Sequence, residues 1–284
     1  MAYSKKNDLS PHKSRYWLNM KIDDSQECES TIEKICQVYL NAVENEANGI
    51  HTIYSDEKTG IQALERAAPT QPMSSGKSEL VECNYGRHGT INLFGNKNVA
   101  TGEIIAPMLK ETRTSEDFAD NIDNVVATDP TAGWIFVVDN LNTHMSVVLV
   151  MLVALLLDIP FDTLGKPEKE GILKSMKTRK AFLEEESHRI RFIFTPKHCS
   201  WLNQIENWFS ALSHRVLRRG NFTSVDSLKN KIANYIQFYN KTAKTMKWKC
   251  KGLNVKKINE DHLRNMALVI SAQRGAALRS VTPR

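Results

Sequence analysis

The sequence predicts an α/β protein with a mixed sheet flanked by helices. Short strand-like apolar runs alternate with helical patterns in its second half, and one such run, Trp134–Val138, is apolar at every position. A run of this kind is typical of a strand that is buried on both faces, and interleaved helices favour parallel neighbours. At 284 residues, with 41% apolar and 25% charged side chains, the chain is long enough for a substantial core.

The first half contains one clear helix and several strand candidates. Apolar residues at helical spacing predict a helix over 25–39, and an apolar run predicts the first strand over 50–55. Prolines and small polar residues indicate a loop over 66–78. Two further strands are expected at 80–85 and 90–94, with Gly86 and Gly89 in the turn between them.

The second half alternates helices and strands. The predicted elements are a helix over 115–126, the buried strand 134–138, an apolar helix over 147–157, a strand over 189–194, a helix from Ser200 to Gly220, and a helix from Ser224. Ser200 is suited to be an N-cap and Gly220 to end its helix. The apolar helix has eleven residues, whereas a membrane span needs about 20. Residues 158–187, rich in Lys and Glu, are expected to be a partly helical insertion.

Charge and cysteine usage narrow the function. From residue 171 onward there are 23 Lys and Arg against 7 Asp and Glu, while the chain as a whole carries +6. A basic half suits a polyanion such as nucleic acid, although a solvated lysine-rich surface is an equally good explanation of charge alone. The five cysteines include no CxxC pair, and the N-terminus has no apolar core. These features favour a reducing cytoplasm over secretion.

Three acids could form a metal site. Asp56 and Asp139 each follow a strand-like run, and Glu206 lies off the apolar stripe of its predicted helix. Phosphodiester cleavage with two metal ions needs carboxylates that hold cations about 4 Å apart, and Mg²⁺ prefers hard oxygen ligands. Acids at strand ends are more often helix caps, so the spacing alone does not decide.

Six segments resemble the mariner-like bacterial insertion-sequence transposases of the DDE superfamily, in family order over roughly residues 11–252. They are Ser55–Arg66, Tyr85–Thr90, Asp139–His144, Thr195–Phe209, Val216–Phe222 and Tyr239–Lys244. The resemblance implies a ribonuclease-H-like mixed sheet and an Asp56, Asp139, Glu206 triad. It further implies two Mg²⁺ ions, with Mn²⁺ able to substitute.

The resemblance also implies cut-and-paste transposition in the cytoplasm, at the nucleoid. The expected partners are the terminal inverted repeats, a target DNA cut at TA and a second copy of the chain, with no membrane. Residues 1–45 would be a remnant of the DNA-binding region with a linker helix, 46–252 the catalytic domain and 253–284 a basic tail of unknown role. Because only residues 11–18 resemble the helix-turn-helix region, the alternative is a noncatalytic fragment that binds DNA or multimerises and inhibits transposition.

Further polar residues are candidates for DNA contact. Arginine matches phosphate oxygens well and helix N-termini favour anions, which suggests Arg87, His88, Lys197, His198, Arg215, Arg218 and Arg219. Asn140 and His144 could touch DNA or steady the metal shell. Equally, Asn140 or Thr143 could cap the apolar helix. Glu57 is expected to be structural or to pair with a lysine rather than to be a fourth ligand.

Overall fold

A computed structural model describes residues 25–197 and 199–249, and its centre is a five-stranded mixed sheet in the order β3-β2-β1-β4-β7. The strands are β1 (Ile50–Arg66), β2 (Tyr85–Asn98), β3 (Met108–Lys110), β4 (Gly133–Val138) and β7 (Ile190–Phe194), with a small hairpin of β5 (Gly165–Lys166) and β6 (Glu170–Gly171) outside the sheet. β1, β4 and β7 are parallel, whereas β2 pairs antiparallel with β1 on one side and with β3 on the other. The predicted mixed sheet of a ribonuclease-H-like fold is confirmed.

Helices cover both faces of the sheet. They are α1 (Ser25–Leu40), α2 (Ala42–Ala47), α3 (Ser115–Val126), α4 (Val147–Leu156), α5 (Met176–Leu183), α6 (Ile205–Leu212) and α7 (Val225–Asn240). One core packs α1, α6 and α7 against the first face, and a second core packs α3, α4 and α5 against the other. β4 contributes Ile135 and Val137 to the first core and Phe136 to the second. Its predicted burial on both faces is therefore confirmed.

The first two strands are longer than predicted. β1 pairs in parallel with β4 only over Ile50–Tyr54, and then continues to Arg66 as one arm of an antiparallel ribbon with β2. The expected strand at 80–85 and the turn between Gly86 and Gly89 are wrong, because β2 runs without a break from Tyr85. Backbone hydrogen bonds between the two strands stabilise the ribbon. These strands therefore do not require the continuous apolar run from which a buried strand is predicted.

The helix that carries Glu206 also begins later than predicted. A single 3₁₀ turn covers Ser200–Leu202, the regular helix α6 starts at Ile205, and a π turn over Ser213–Leu217 ends it before Gly220. Ser200 is therefore not its N-cap. Ser224 does cap α7, since its side chain accepts a hydrogen bond from the Ser227 backbone amide.

The predicted insertion at 158–187 is folded onto the second core. Leu164, Leu173 and Leu183 are buried there, and a capping box at Ser175 starts α5. Arg179 joins this segment to the rest of the domain, because its Nε donates to the Met145 carbonyl at 2.7 Å. No helix in the described ranges is long and apolar enough to cross a membrane.

Candidate active site

Two acids lie at the carboxyl end of the parallel strands. The last residue pair between β1 and β4 is Tyr54 with Val137, so Asp56 and Asp139 each lie two positions beyond it. Parallel strands place their carboxyl ends at one edge of the sheet, where α/β proteins commonly form their sites. The parallel pairing of β1 with β4 brings the two acids to the same edge. Asp56 lies within β1, however, and does not end it.

Glu206 comes to this edge on α6. Its neighbours Ile205 and Phe209 are buried against the sheet, whereas Glu206 itself is exposed. The helix packs closely because Gly95, which pairs with Asp56 in the ribbon, has no side chain. A Cβ atom at Gly95 would lie 2.8 Å from the Phe209 ring. Asn203, just before α6, donates its amide to Asp56 Oδ2 at 3.1 Å and links the two elements.

The acids influence one another electrostatically. Burial, together with the smaller effect of the negative charges of Asp139, Glu57 and Glu206, raises the pKa of Asp56 to about 7, although a hydrogen bond from the Glu57 backbone amide lowers it. Like charges that share a site disfavour ionisation. A proton therefore occupies Asp56 near neutrality unless a cation takes its place.

The donor set fits a hard divalent cation. Within residues 25–197 and 199–249, neither Asp56, Asp139 nor Glu206 forms an ion pair with a lysine or arginine. Asp139 Oδ1 accepts from the Leu141 amide at 3.1 Å and lies 2.7 Å from His144 Nδ1, which is also 3.3 Å from the Asp139 carbonyl, whereas Oδ2 has no hydrogen bond among the described residues. No three His, Cys, Asp or Glu side chains among the described residues are close enough to surround one ion as placed. Free carboxylate oxygens without cationic partners are nevertheless the ligands that Mg²⁺ prefers.

A histidine lies behind Asp139. The side chain of His144 is fully buried, and its Nε2 is 3.0 Å from Oε1 of Glu57, which is 2% exposed. Burial alone would lower the pKa of His144, but hydrogen bonds to Asp139 and Glu57 raise it to about 9. The buried imidazole fits the expectation that His144 steadies the acid cluster, and it is not placed for direct contact with DNA. Among the described residues Glu57 pairs with this histidine and not with a lysine.

Asn140 ties two strand ends together. Its side-chain amide donates to the Thr195 carbonyl, just after β7. It does not cap α4, and neither does Thr143. The N-cap is Ser146, whose side chain accepts from the Leu149 amide at 3.1 Å.

The basic residues predicted to contact DNA lie in separate parts of the structure. Arg87 and His88 lie on the β2 arm of the ribbon, where His88 Nε2 is 2.7 Å from Glu65 Oε2 and Arg87 lies over the Tyr85 ring. Both side chains are exposed and could contact a ligand. They lie in a strand, however, and not in the predicted turn. Lys197 is exposed in the turn after β7. His198 lies outside the described residues.

Arg215, Arg218 and Arg219 are exposed at the end of α6 and line two adjoining pockets of about 420 and 340 Å³. In the described part of the chain none of these guanidinium groups has a carboxylate within salt-bridge distance, although Glu79 lines the first pocket. Three more basic side chains line the same pockets: Arg66, His214 and Lys231. Sequence reasoning missed this second set because β1 and α7 supply two of its members.

Comparisons with known proteins identify the family of the chain. The sequence model of a family described as "DDE superfamily endonuclease" matches residues 51–229, which include all three acids. A search of curated proteins gave no match. Similar solved structures include a Mos1 transposase paired-end complex with the left transposon end (13% identity, TM-score 0.48, covering 79% of this chain and 58% of that one). The catalytic domain of Mos1 mariner transposase is also similar (13% identity, TM-score 0.44, covering 78% of this chain and 85% of that one). The chain thus spans 58% of the length of the protein in the paired-end complex.

Proposed function

This chain belongs to the DDE superfamily endonucleases, and we propose that within this family it is the catalytic domain of a cut-and-paste DNA transposase. The observation that carries the proposal is that Asp56 and Asp139 follow the paired ends of two parallel strands, with Glu206 near enough to influence the pKa of Asp56, while none of the three acids pairs with a lysine or arginine among the described residues. Residues 46–252 would form the catalytic domain, preceded by a remnant DNA-binding region and linker over 1–45 and followed by a basic tail over 253–284.

Asp56, Asp139 and Glu206 would hold two Mg²⁺ ions, for which Mn²⁺ could substitute. When bound, such ions activate the attacking oxygen and stabilise the leaving oxygen of an in-line displacement at phosphorus. The protein's part is to fix its carboxylates. Asp56 is held by its strand and by Asn203, Asp139 by His144 and the Leu141 amide, and Glu206 by the tight packing of α6 on Gly95.

The DNA backbone would lie along the exposed side of α6. Glu206 and Arg215 are nine residues apart, which corresponds to about 14 Å at 1.5 Å per residue. Arg215, Arg218 and Arg219 could thus bind phosphates a short distance along the same strand from the scissile bond. Lys197 at the other end of this helix, and Arg87 with His88 on the ribbon, would extend the contact.

The finer features of the proposal follow the resemblance of the sequence motifs. Water would cut the strand at each terminal inverted repeat, and the freed 3′-hydroxyl would then attack target DNA at TA. Two copies of the chain would pair the two ends, and the reaction would take place at the nucleoid.

Calorimetric titration with Mn²⁺ separates this proposal from a noncatalytic DNA-binding fragment. The parent protein should take up Mn²⁺, and a variant with Asp56→Asn, Asp139→Asn and Glu206→Gln should not. His51→Leu/Asp129→Leu is a matched control, because it removes an imidazole–carboxylate pair at the opposite end of β1 and should leave uptake unchanged. Parent protein that binds DNA but shows no uptake dependent on the three acids would favour the inhibitory fragment.

A further inference from the structure

We propose that Glu57 and His144 form a positioning pair that orients the Asp139 carboxylate for metal binding. This inference rests on the proposed function and adds to it two residues that are not metal ligands. Neither residue can reach a ligand from solvent, because the His144 side chain is fully buried and that of Glu57 is 2% exposed. Any effect they have on the site must pass through Asp139.

Both nitrogens of the His144 ring are engaged. Nδ1 lies 2.7 Å from Asp139 Oδ1, and Nε2 lies 3.0 Å from Glu57 Oε1. The ring also packs on Phe118, with 4.0 Å between the ring centroids. With both nitrogens and one ring face engaged, the imidazole has a single orientation. The hydrogen bond to Asp139 is therefore fixed in direction.

The Glu57 carboxylate contacts the site only through His144 among the described residues. Successive side chains on a strand point to opposite faces, so Asp56 points toward α6 while Glu57 points into the core formed with α3. Within the described ranges the only hydrogen-bond partner of the Glu57 carboxylate is His144. A buried ion pair is seldom a better source of stability than apolar residues of similar size. Its place directly behind a proposed ligand instead suggests a role in that ligand's geometry.

The expected consequence is that the Asp139 carboxylate is held through Oδ1 while Oδ2 remains free to bind a metal ion. Asp139 Oδ1 accepts from the Leu141 amide and lies 2.7 Å from His144 Nδ1, which restricts the rotation of the carboxylate, and Oδ2 has no hydrogen bond to any described residue. Partners that hydrogen-bond to metal ligands in this way affect metal affinity by about 10–100-fold when they are removed.

Two double variants separate the positioning of Asp139 from a purely structural role of Glu57 and His144. Glu57→Leu/His144→Leu removes the buried carboxylate together with its imidazole partner, so no buried carboxylate is left without a partner. Glu57→Leu/His144→Asn is its matched partner, because asparagine can place an amide donor where His144 Nδ1 now lies. Mn²⁺ affinity is measured by calorimetry on the full chain, and folding is checked by chemical denaturation.

We expect the Leu/Leu variant to bind Mn²⁺ about 10–100-fold more weakly than the parent. The Leu/Asn variant should recover most of that loss, although both variants lack the Glu57–His144 pair. His51→Leu/Asp129→Leu, at the other end of the sheet, should bind Mn²⁺ as the parent does. A purely structural pair would lower the free energy of unfolding in both double variants without separating their affinities.

Two results would overturn the inference while leaving the proposed function intact: parental Mn²⁺ affinity in a folded Leu/Leu variant, or equal losses in the Leu/Leu and Leu/Asn variants. A parent chain that binds no Mn²⁺ would instead refute the proposed function, and this inference with it.

Discussion

Replacing Asp56 by asparagine should stabilise the metal-free protein above neutral pH. Burial and the neighbouring acids raise the pKa of Asp56 from an ordinary value of 3.8 to about 7. Because the folded state binds this proton more tightly than the unfolded state, the resulting stability is present at pH 4 and is lost as the pH rises through 7. At about 1.36 kcal/mol for each pKa unit, the loss is about 4 kcal/mol at most.

Asparagine has no charge to bury and can keep the local hydrogen bonds. Its carbonyl oxygen can accept from the Glu57 amide, as Asp56 Oδ1 does at 2.7 Å. Asn203 Oδ1 has no hydrogen-bond partner among the described residues, so a flipped Asn203 could accept from the new amide and would give up only its long 3.4 Å hydrogen bond to the Ser55 carbonyl. The free energy of unfolding of the Asp56→Asn variant should therefore exceed that of the parent by up to about 4 kcal/mol at pH 8, with little difference at pH 4.

The assay is urea denaturation of both proteins in a chelator at pH 4, 6 and 8, repeated with Mn²⁺ at pH 8. Mn²⁺ should reduce the difference in free energy of unfolding between variant and parent at pH 8, because only the parent has the ionised Asp56 carboxylate to bind the ion. The reasoning is refuted if the difference in free energy of unfolding between variant and parent does not change with pH, or if the variant is the less stable protein at pH 8.

Three other outcomes are expected. Mn²⁺ affinity of the parent should rise by about fivefold from pH 6 to pH 7 and by about tenfold from pH 6 to pH 8, and then level off, since the proton on Asp56 competes with the ion; calorimetry at each pH measures this. Arg218→Ala/Arg219→Ala should weaken DNA binding and reduce the slope of log affinity against log salt by about 2, as followed by fluorescence anisotropy. Gly95→Ala should cost about 1–3 kcal/mol of stability by overpacking against Phe209, and it should weaken Mn²⁺ binding because α6 must shift with Glu206.

Each of these outcomes has a control. Affinity that does not vary with pH would contradict the raised pKa of Asp56. Lys174→Ala/Lys177→Ala removes the same charge from the opposite side of the sheet, so an equal change in salt slope would show that the arginines act only through net charge. A Gly95→Ala protein with lowered stability but parental Mn²⁺ affinity would show that α6 does not position Glu206.

The sequence predicted those elements that carry their own signal. The predicted helix over 115–126 matches α3, which has a side-chain N-cap at Thr114, and the predicted strand over 134–138 matches β4 to within one residue because all five positions are apolar. The second half of β1 could not be found in this way, since residues 56–66 are mostly polar and are held in a strand by pairing with β2. The short β3 likewise exists only through its pairing with β2.

The site was predictable to a similar degree. The position of Asp139 follows from the strand before it, and the motifs that resemble a known family identified the three acids. The contact between Glu57 and His144 joins residues 87 positions apart and depends on which face of β1 each side chain takes. The pockets around Arg219 need the ribbon, α6 and α7 together. Local patterns in a sequence contain neither kind of information.

The measurement that tests the central claim most directly is cleavage of supercoiled plasmid by the parent and by Asp139→Asn in the presence of Mn²⁺. Both proteins should fold and bind DNA with similar affinity. The account predicts metal-dependent strand breaks with the parent and only background levels with the variant. Equal cleavage by the two proteins would contradict it.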